Sequence, residues 1–198
     1  MAAELTLTDV ARALSVSPPT LRRWVADGIV PLRDGVWTPA ALAQARIVAR
    51  MRQRGHSLEQ LRVAAKELRE VIDKIFTLMD TDPEMGPKLH EADTPQRFEF
   101  SDFDLVVNIR ATSGDEDGNL HWEWSDDVDW KSKVQMTMSS EVANRYFQGK
   151  ENVPVAVARR RIKTGGDLKA ALALIPITKP IYEQYRAYVE SEKPHLKV

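Results

Sequence analysis

The chain has 198 residues, of which 43% are hydrophobic and 29% are charged, a composition typical of a water-soluble globular protein with one large or two small domains. It contains no cysteine, which excludes disulfides, thiol nucleophiles and thiolate metal sites. The net charge of −1 is unevenly divided, because residues 1–70 carry eleven basic and seven acidic side chains, and the remainder carries seventeen and twenty-two. A basic N-terminal part favours contact with phosphate groups. So small an excess of basic over acidic residues is also expected if both parts of the chain simply have charged, solvent-exposed surfaces.

Two short helices separated by a tight break are predicted at the start of the chain. Thr8 can cap a first helix that ends at Leu14, and Ser17 can cap a second helix over Pro18–Ala26. In the second helix Leu21, Trp24 and Val25 share an inner face. Thr20, Arg22 and Arg23 then point outward, so the pair of helices is predicted to be a DNA-binding helix-turn-helix.

A hairpin wing is predicted directly after these helices. Residues 29–32 and 36–38 flank Arg33-Asp34-Gly35, and an Asp-Gly pair tolerates the positive φ angles of a tight turn. Arg33 and Trp37 are expected to touch the DNA backbone or minor groove from this wing.

The order and spacing of these residues resemble the MerR family of regulators over residues 5–80. The matching stretches are Leu7-Thr8, Asp9-Val10-Ala11, Val16-Ser17-Pro18, Thr20-Leu21-Arg22, Gly28-Ile29-Val30-Pro31 and Arg54-Gly55-His56-Ser57-Leu58. The chain departs from the family at Arg23-Trp24 and at Val36-Trp37, which bears on base preference. The resemblance implies a homodimer that binds double-stranded DNA through Thr20, Arg22, Arg23, Arg33 and Trp37.

A third helix is predicted over Pro39–Arg54, and a long helix capped by Ser57 is predicted to run to about Asp80. Apolar residues recur along the long helix at alternating steps of three and four, which is a heptad seam. The predicted dimerisation residues are Leu61, Leu68, Ile72, Ile75 and Met79. The alternative is that this seam packs on the chain's own C-terminal half, since three heptads are near the minimum for a coiled coil.

Proline and glycine punctuate residues 81–95, and a second domain is predicted to begin there. One bulged strand is expected over residues 98–109, followed by strands at 120–124 and 134–138, all antiparallel. Helices are expected at 140–148, 153–159, from Asp167 onward and after Pro180, with a short strand at 161–164. Strands followed by helices indicate an α+β domain.

Residues 83–190 resemble a sterol-carrier-protein-2-type lipid-binding domain, most clearly over residues 134–176. The matching stretches are Met136-Thr137-Met138-Ser139, Phe147-Gln148-Gly149-Lys150, Asn152-Val153-Pro154-Val155-Ala156 and Ile162-Lys163-Thr164-Gly165. The resemblance implies an apolar tunnel for a fatty acyl, acyl-coenzyme A or sterol-like ligand. The residues predicted to bind it are Trp122, Trp124, Met136, Met138, Phe147, Ala170, Leu174 and Tyr182, and an ordinary core is the alternative reading of the same pattern.

The sequence has no pattern typical of a metal site, a catalytic site or a membrane span. The histidines are scattered without ligand spacing, so no metal site is expected, and no nucleophile stands beside a base, so neither catalysis nor a cofactor is expected. No apolar run is long enough to span a bilayer and the N-terminus does not have the pattern of a secretion signal, so a cytoplasmic protein without membrane insertion is expected.

The predicted fold class is multidomain α and α+β: a winged helix-turn-helix with a long dimerisation helix, followed by an antiparallel sheet covered by helices around an apolar cavity. The predicted divisions are a DNA-binding domain at 1–56, a dimerisation helix and linker at 57–82, and a lipid-binding domain at 83–198. Together they predict a transcriptional regulator controlled by a hydrophobic ligand. The alternative function is a lipid carrier whose helix-turn-helix docks on another protein, and the exposed arginines favour DNA.

Overall fold

Helices make up the regular structure of the first third of the chain, and a sheet with flanking helices makes up the rest. The computed structural model describes residues 5–30, 32, 35–53, 55, 57–103 and 105–198. The chain divides into two units, residues 1–65 and 66–198. Helix α4 (Leu58–Thr81) begins in the first unit and ends in the second. None of the described helices is both long and apolar enough to cross a bilayer.

The first unit contains α1 (Leu7–Ala13), α2 (Pro18–Ala26), α3 (Pro39–Gln53) and the first turns of α4. Thr6, not the predicted Thr8, caps α1, and it does so in a reciprocal capping box with Asp9. Gly28 follows α2 with a φ of 69°, a left-handed conformation that suits glycine and ends the helix. The buried side chains of this unit are Val10, Ala11, Leu21, Trp24, Val30, Trp37, Ala41, Ala45, Val48 and Ala49.

The tip of the predicted wing, including Arg33, lies outside the described residues. Gly35 has a φ of 75°, a left-handed conformation that suits glycine. The described residues on either side form no strand beyond a single bridge at Val36.

The second unit combines five strands with the end of α4 and further helices. In chain order its remaining elements are α5 (Met85–Ala92), β1 (Gln96–Phe100), β2 (Leu105–Ala111), β3 (Leu120–Glu123), β4 (Val134–Met138), α6 (Ser140–Phe147), α7 (Val153–Ala158), β5 (Lys163–Gly166), α8 (Leu168–Thr178), α9 (Ile181–Glu192) and a short 3-10 turn at Pro194–Leu196. The α+β class predicted for this half of the chain is confirmed.

The strands form one sheet in the order β3-β2-β1-β4-β5, and this sheet is mixed. Pairing of β1 with β4 is parallel, with Phe98 opposite Met136, and the other pairs are antiparallel. The prediction of a purely antiparallel sheet is therefore wrong. The single bulged strand predicted over 98–109 is also wrong, because a turn in which the Phe103 N–H donates to the Phe100 carbonyl reverses the chain between β1 and β2.

The two faces of the sheet differ in polarity. One face presents Phe98, Phe100, Ile109 and Met138 to the core of the unit. Alternate residues place polar groups on the other face, where Arg97 pairs with Glu99 at 2.8 Å and the Thr137 hydroxyl donates to Glu99 at 2.9 Å. The core therefore lies on one side of the sheet.

The apolar seam of α4 belongs to this core. Leu68, Ile72, Ile75 and Met79, four of the five predicted dimerisation residues, are 0–8% exposed among the buried side chains of the second unit. Leu61, the fifth, lies in the first unit and is half-buried. The assignment of those four residues to a dimer seam is corrected, because their apolar surface is already removed from water within one chain. The burial of these four residues agrees instead with the alternative prediction, in which the seam packs on the chain's own C-terminal half.

Candidate functional site

Helix α2 has the geometry that the DNA-binding prediction requires of its recognition helix. The Thr20 N–H donates to the Ser17 hydroxyl at 3.3 Å, which fixes the start of the helix, and Pro18 occupies the first turn. Leu21 and Trp24 are 0% and 2% exposed. The buried pair fixes the rotation of the helix about its axis and so determines which side chains face solvent.

The outward side of α2 carries all three predicted DNA-contacting residues of this helix. Thr20, Arg22 and Arg23 are exposed. The Arg23 side chain is 80% exposed and lies 3.6 Å from the Asp27 carboxylate, a weak surface pair that phosphate oxygens can replace. The three side chains thus form a polar and cationic surface on a fixed helix.

The predicted wing contributes two expected DNA-contacting residues, Arg33 and Trp37. Trp37, predicted to touch DNA, is 8% exposed and packs in the core of the first unit, so this prediction is corrected. An indole is large and mostly apolar, so burying the Trp37 side chain in the core stabilises the fold more than leaving it exposed at the surface. Arg33 lies outside the described residues.

Further exposed cations lie on α3 of the first unit. Arg46 and Arg50 of α3 are exposed, although neither was singled out for DNA contact. The Gln44 amide of α3 donates to the Ile29 carbonyl at 2.6 Å, and the Arg62 guanidinium donates to the Asp27 carbonyl at 3.1 Å. These two bonds hold the segment that follows α2.

The second unit encloses an apolar cavity of about 60 Å³. The strands contribute Phe98, Ile109, Leu120, Met136 and Met138 to its lining, and α4 contributes Phe76 and Met79. Helix α8 contributes Leu168, Ala171, Leu172, Leu174, Ile175 and Thr178. Hydrophobic lining with few polar groups is the usual character of a site for an apolar ligand.

Four of the eight residues predicted to bind a ligand line this cavity: Met136, Met138, Phe147 and Leu174. Trp122, Trp124, Ala170 and Tyr182 are not among its lining residues. The sequence prediction missed Phe76 and Met79 as lining residues because it assigned that helix face to a dimer. Ala171 of α8 also lines the cavity, although the predicted ligand-binding residues included its neighbour Ala170 instead.

The two tryptophans fix the helix against the sheet instead of lining the cavity. Trp122 and Trp124 both donate their indole N–H to Oδ1 of Asp73, at 3.0 Å and 2.7 Å. The Trp122 ring also meets Phe76 edge-on, with centroids 5.8 Å apart. The Trp122 indole therefore supports Phe76, which does line the cavity.

Tyr182 packs edge-on against the lining residue Tyr146, with ring centroids 6.1 Å apart. Burial raises the pKa of the Tyr146 phenol, so this group remains protonated at neutral pH. A protonated phenol can donate a hydrogen bond but cannot act as a general base. The cavity is therefore equipped to bind an apolar group with little polar contact.

The described residues hold no cluster of histidine and acidic side chains with metal-binding geometry. Polar residues of the cavity wall include Thr94, Gln96, Arg110 and Thr164. Arg110 is already held by Glu116, through hydrogen bonds of 2.8 Å and 2.7 Å.

A comparison with known protein families matched the N-terminal part of the chain. Residues 5–68 match the family described as MerR HTH family regulatory protein. We call residues 5–68 the MerR-type segment, after the family that they resemble. The MerR-type segment contains α1, α2, α3 and the first turns of α4, and the resemblance seen in the sequence is confirmed for it.

Solved structures similar to the chain include sterol carrier proteins. The apo form of Sterol Carrier Protein 2 from Yarrowia lipolytica is 16% identical with a TM-score of 0.44, and the match covers 56% of this chain and 89% of that one. Sterol carrier protein domain 2 of Helicoverpa armigera is 17% identical with a TM-score of 0.41, covering 57% and 88%. The stereoselective inverting sec-alkylsulfatase Pisa1 from Pseudomonas sp. is 14% identical with a TM-score of 0.44, covering 88% of this chain and 32% of that one. Comparison with curated proteins gave no significant match.

Proposed function

We propose that this protein is a cytoplasmic, homodimeric transcriptional regulator that binds double-stranded DNA through α2 and responds to a hydrophobic ligand in its second unit. The observation that carries the proposal is the MerR-type segment, in which Thr20, Arg22 and Arg23 are exposed on a helix anchored by Leu21 and Trp24. A helix with this arrangement can present side chains to base edges in the major groove while neighbouring cations meet phosphates.

Homodimerisation is part of the proposal because one helix-turn-helix contacts only one half-site of the DNA. Two helix-turn-helix units related by a twofold axis contact two half-sites and select the distance between them. With most of the α4 seam buried in the second unit, we assign the dimer contact to the first turns of α4. There Val63 is 58% exposed and Leu61 is half-buried.

The ligand is proposed to be a fatty acyl, acyl-coenzyme A or sterol-like molecule. A volume of about 60 Å³ holds only a few water-sized spheres, so a long hydrocarbon requires the cavity to widen. We place this widening at helix α8, where Leu168 and Leu172 are half-exposed already. The ligand would then select a widened conformation.

Regulation requires that the ligand prefer one conformation of the protein, because equal affinity for two conformations shifts neither. Phe76 and Met79 of α4 line the cavity, so widening it acts on the same helix whose first turns belong to the MerR-type segment. We infer that α4 is the element whose equilibrium the ligand biases.

The test is fluorescence anisotropy of the full chain on duplex fragments from its own upstream region, scanned over salt concentration, before and after bound lipid is stripped. We expect tight, salt-sensitive binding to one fragment, with an affinity that changes on stripping. Absence of preference for any fragment in both states would reject the regulator and favour the alternative, a lipid carrier whose MerR-type segment docks on another protein.

A further inference from the structure

Few polar side chains reach the wall of the apolar cavity, and two of the hydroxyl groups among them are already bonded within the fold. The Thr94 hydroxyl donates to the Ala92 carbonyl at 3.0 Å, and the Thr178 hydroxyl donates to the Leu174 carbonyl at 3.0 Å. A hydroxyl has a single proton, so neither group has a donor left for a ligand.

The cavity wall offers no cation to a ligand. Arg110 is the one charged residue among the described residues that line the cavity. Its neighbour along β2, Ile109, is 4% exposed and faces the core, so the Arg110 side chain leaves the sheet on the opposite face. There its guanidinium donates to Glu116 at 2.7 Å and lies 4.9 Å from the centre of the Trp130 ring. The charge of Arg110 is thus engaged away from the cavity.

Gln96 carries a neutral amide that is free to bind a ligand. It alternates with Phe98 along β1 and lies opposite Ile109 of β2 and Val134 of β4. These three neighbours are buried, so the Gln96 side chain stands on the core face. It lines the cavity and is half-buried, and within the described part of the chain its amide has no hydrogen-bond partner. A primary amide supplies two donors and one acceptor oxygen.

The polar and apolar ends of the cavity are separated along the sheet. Gln96 pairs with Val134 of β4, whose partner on β5 lies two residues before Leu168. Leu168 lines the cavity and is 50% exposed, so the Gln96 amide lies at the end where the cavity meets the surface. At the other end of β1, Phe100 pairs with Met138, and both are buried. A ligand that enters with its apolar end first therefore leaves its polar group beside Gln96.

The groove beside this end of the cavity does not favour an anion. It adjoins the cavity at Ala111, which lines both. Asp93, Asp129 and His90 line the groove, and both carboxylates are exposed. Lys133 is held by Asp93, since its amino group donates to the backbone carbonyl and lies 3.8 Å from the carboxylate. Ionised carboxylates in the groove repel an anionic head group.

We propose that the ligand is an uncharged amphiphile, an alkyl or sterol-like body that ends in a hydroxyl or ester group, and that Gln96 selects it by hydrogen bonding to that group. An amide N–H donates to a hydroxyl or to an ester carbonyl, and the amide oxygen accepts from a hydroxyl. This selection rests on the proposed function in taking the cavity as a ligand site, and it narrows the ligand class.

Free fatty acids and acyl-coenzyme A fit the cavity less well. An ionised carboxylate that moves from water to a wall without a cation loses hydration and gains no opposite charge. The thioester of acyl-coenzyme A can reach Gln96, but its phosphates would then lie beside Asp93 and Asp129. A hydroxyl or ester group meets neither cost.

The experiment is isothermal titration calorimetry of the full chain with 1-decanol, decanoate and decylammonium at pH 8. The three probes share one alkyl chain, and at this pH the acid and the amine are both charged. We expect 1-decanol to bind roughly a hundredfold more tightly than decanoate, and also more tightly than decylammonium. Equal affinity for 1-decanol and either charged probe would overturn the selection of an uncharged group.

The role of Gln96 is tested with Q96L against Q135L. Gln135 is its matched control, because it lies on the neighbouring strand β4 but is exposed and pairs with Arg97 on the opposite face. We expect Q96L to bind 1-decanol about fivefold more weakly, with decanoate affinity unchanged, and Q135L to bind 1-decanol normally. Q96L should be at least as stable as the unaltered chain, since it replaces an unpaired amide on the core face. Equal 1-decanol affinities in the two variants would overturn the role of Gln96.

Nile red, an apolar fluorescent probe, reports whether the cavity takes any ligand. If the unaltered chain binds Nile red but binds the three decyl probes equally, only the selection by Gln96 is overturned. If it binds neither Nile red nor any decyl probe, the ligand part of the proposed function fails as well. A chain without DNA preference that still discriminates 1-decanol from decanoate through Gln96 would support the ligand class and reject the regulator.

Discussion

The indole N–H of Trp124 donates to the carboxylate of Asp73 at 2.7 Å, joining the segment after β3 to α4. The same oxygen accepts the indole N–H of Trp122 at 3.0 Å. A single carboxylate on the helix therefore satisfies two indoles, one from β3 and one from the segment after it, and fixes the face of α4 that supplies Phe76 to the cavity. This arrangement links the position of α4 to the shape of the ligand site.

Replacement of Asp73 should destabilise the second unit. Asp73→Ala leaves two partly buried indole N–H groups without an acceptor, and we expect a loss of about 2–4 kcal/mol in the free energy of unfolding, measured by urea denaturation. Thr77→Ala on the same helix is the control, since Thr77 is exposed and should change stability by less than about 0.5 kcal/mol. Similar small losses in both variants would show that the indole bonds contribute little.

Substitution of Ile75 tests whether this part of α4 is a core helix or a dimer seam. It is 0% exposed among the buried residues of the second unit, so we expect Ile75→Ala to lower the free energy of unfolding by about 2–5 kcal/mol. The dimer dissociation constant, measured by analytical ultracentrifugation, should stay unchanged. A variant that dissociates into folded monomers of full stability would restore Ile75 to a dimer seam.

Local patterns in the sequence were sufficient to predict several elements. The bounds of α2 were predicted correctly because its start signal, Ser17 followed by Pro18, and its end near Gly28 act within a few residues. Alternation of apolar and polar residues likewise located β3 and β4. Such signals depend only on neighbours along the chain.

What could not be predicted depends on distant partners. A heptad pattern is the same whether its apolar face meets a second chain or the chain's own sheet, so the seam from Leu68 to Met79 did not reveal its partner. The pairing of β1 with β4 joins segments separated by two other strands, and alternation carries no information about parallel pairing. Adjacent alanines 170 and 171 differ only in their angle about the axis of α8, which packing fixes.

Those two alanines provide a test of the cavity. Both are half-buried on α8, but only Ala171 lines the cavity. A leucine at position 171 would occupy much of a space of about 60 Å³, so we expect Ala171→Leu to weaken Nile red binding roughly tenfold or more. Ala170→Leu is the matched control and should bind the probe normally. Equal losses in both variants would mean that the probe does not enter this cavity.

The pair of Glu116 and Arg110 predicts a pH dependence of stability. Hydrogen bonds from Arg110 and from the Ser113 N–H lower the pKa of the Glu116 carboxyl from 4.5 to about 2. A pKa that is lower in the folded state stabilises the fold above the unfolded value, and this contribution is lost as the pH falls from about 4.5 to about 2. The melting temperature of the unaltered chain should therefore exceed that of Glu116→Gln at neutral pH, with the difference shrinking across that window. A difference that is independent of pH would contradict this assignment.

Arg22 and Arg23 should contribute to DNA binding by charge. Each phosphate contact that is removed should reduce the slope of log affinity against log salt by about one, so Arg22→Ala/Arg23→Ala should bind more weakly and with a shallower slope. If either arginine reads a base instead, its loss should relax discrimination at one base pair by about 1–3 kcal/mol. Lys88→Gln, which removes an exposed cation on α5, is the control and should keep both affinity and slope. Anisotropy titrations across salt concentrations that show an unchanged slope and unchanged discrimination in the double variant would mean that α2 does not face the DNA.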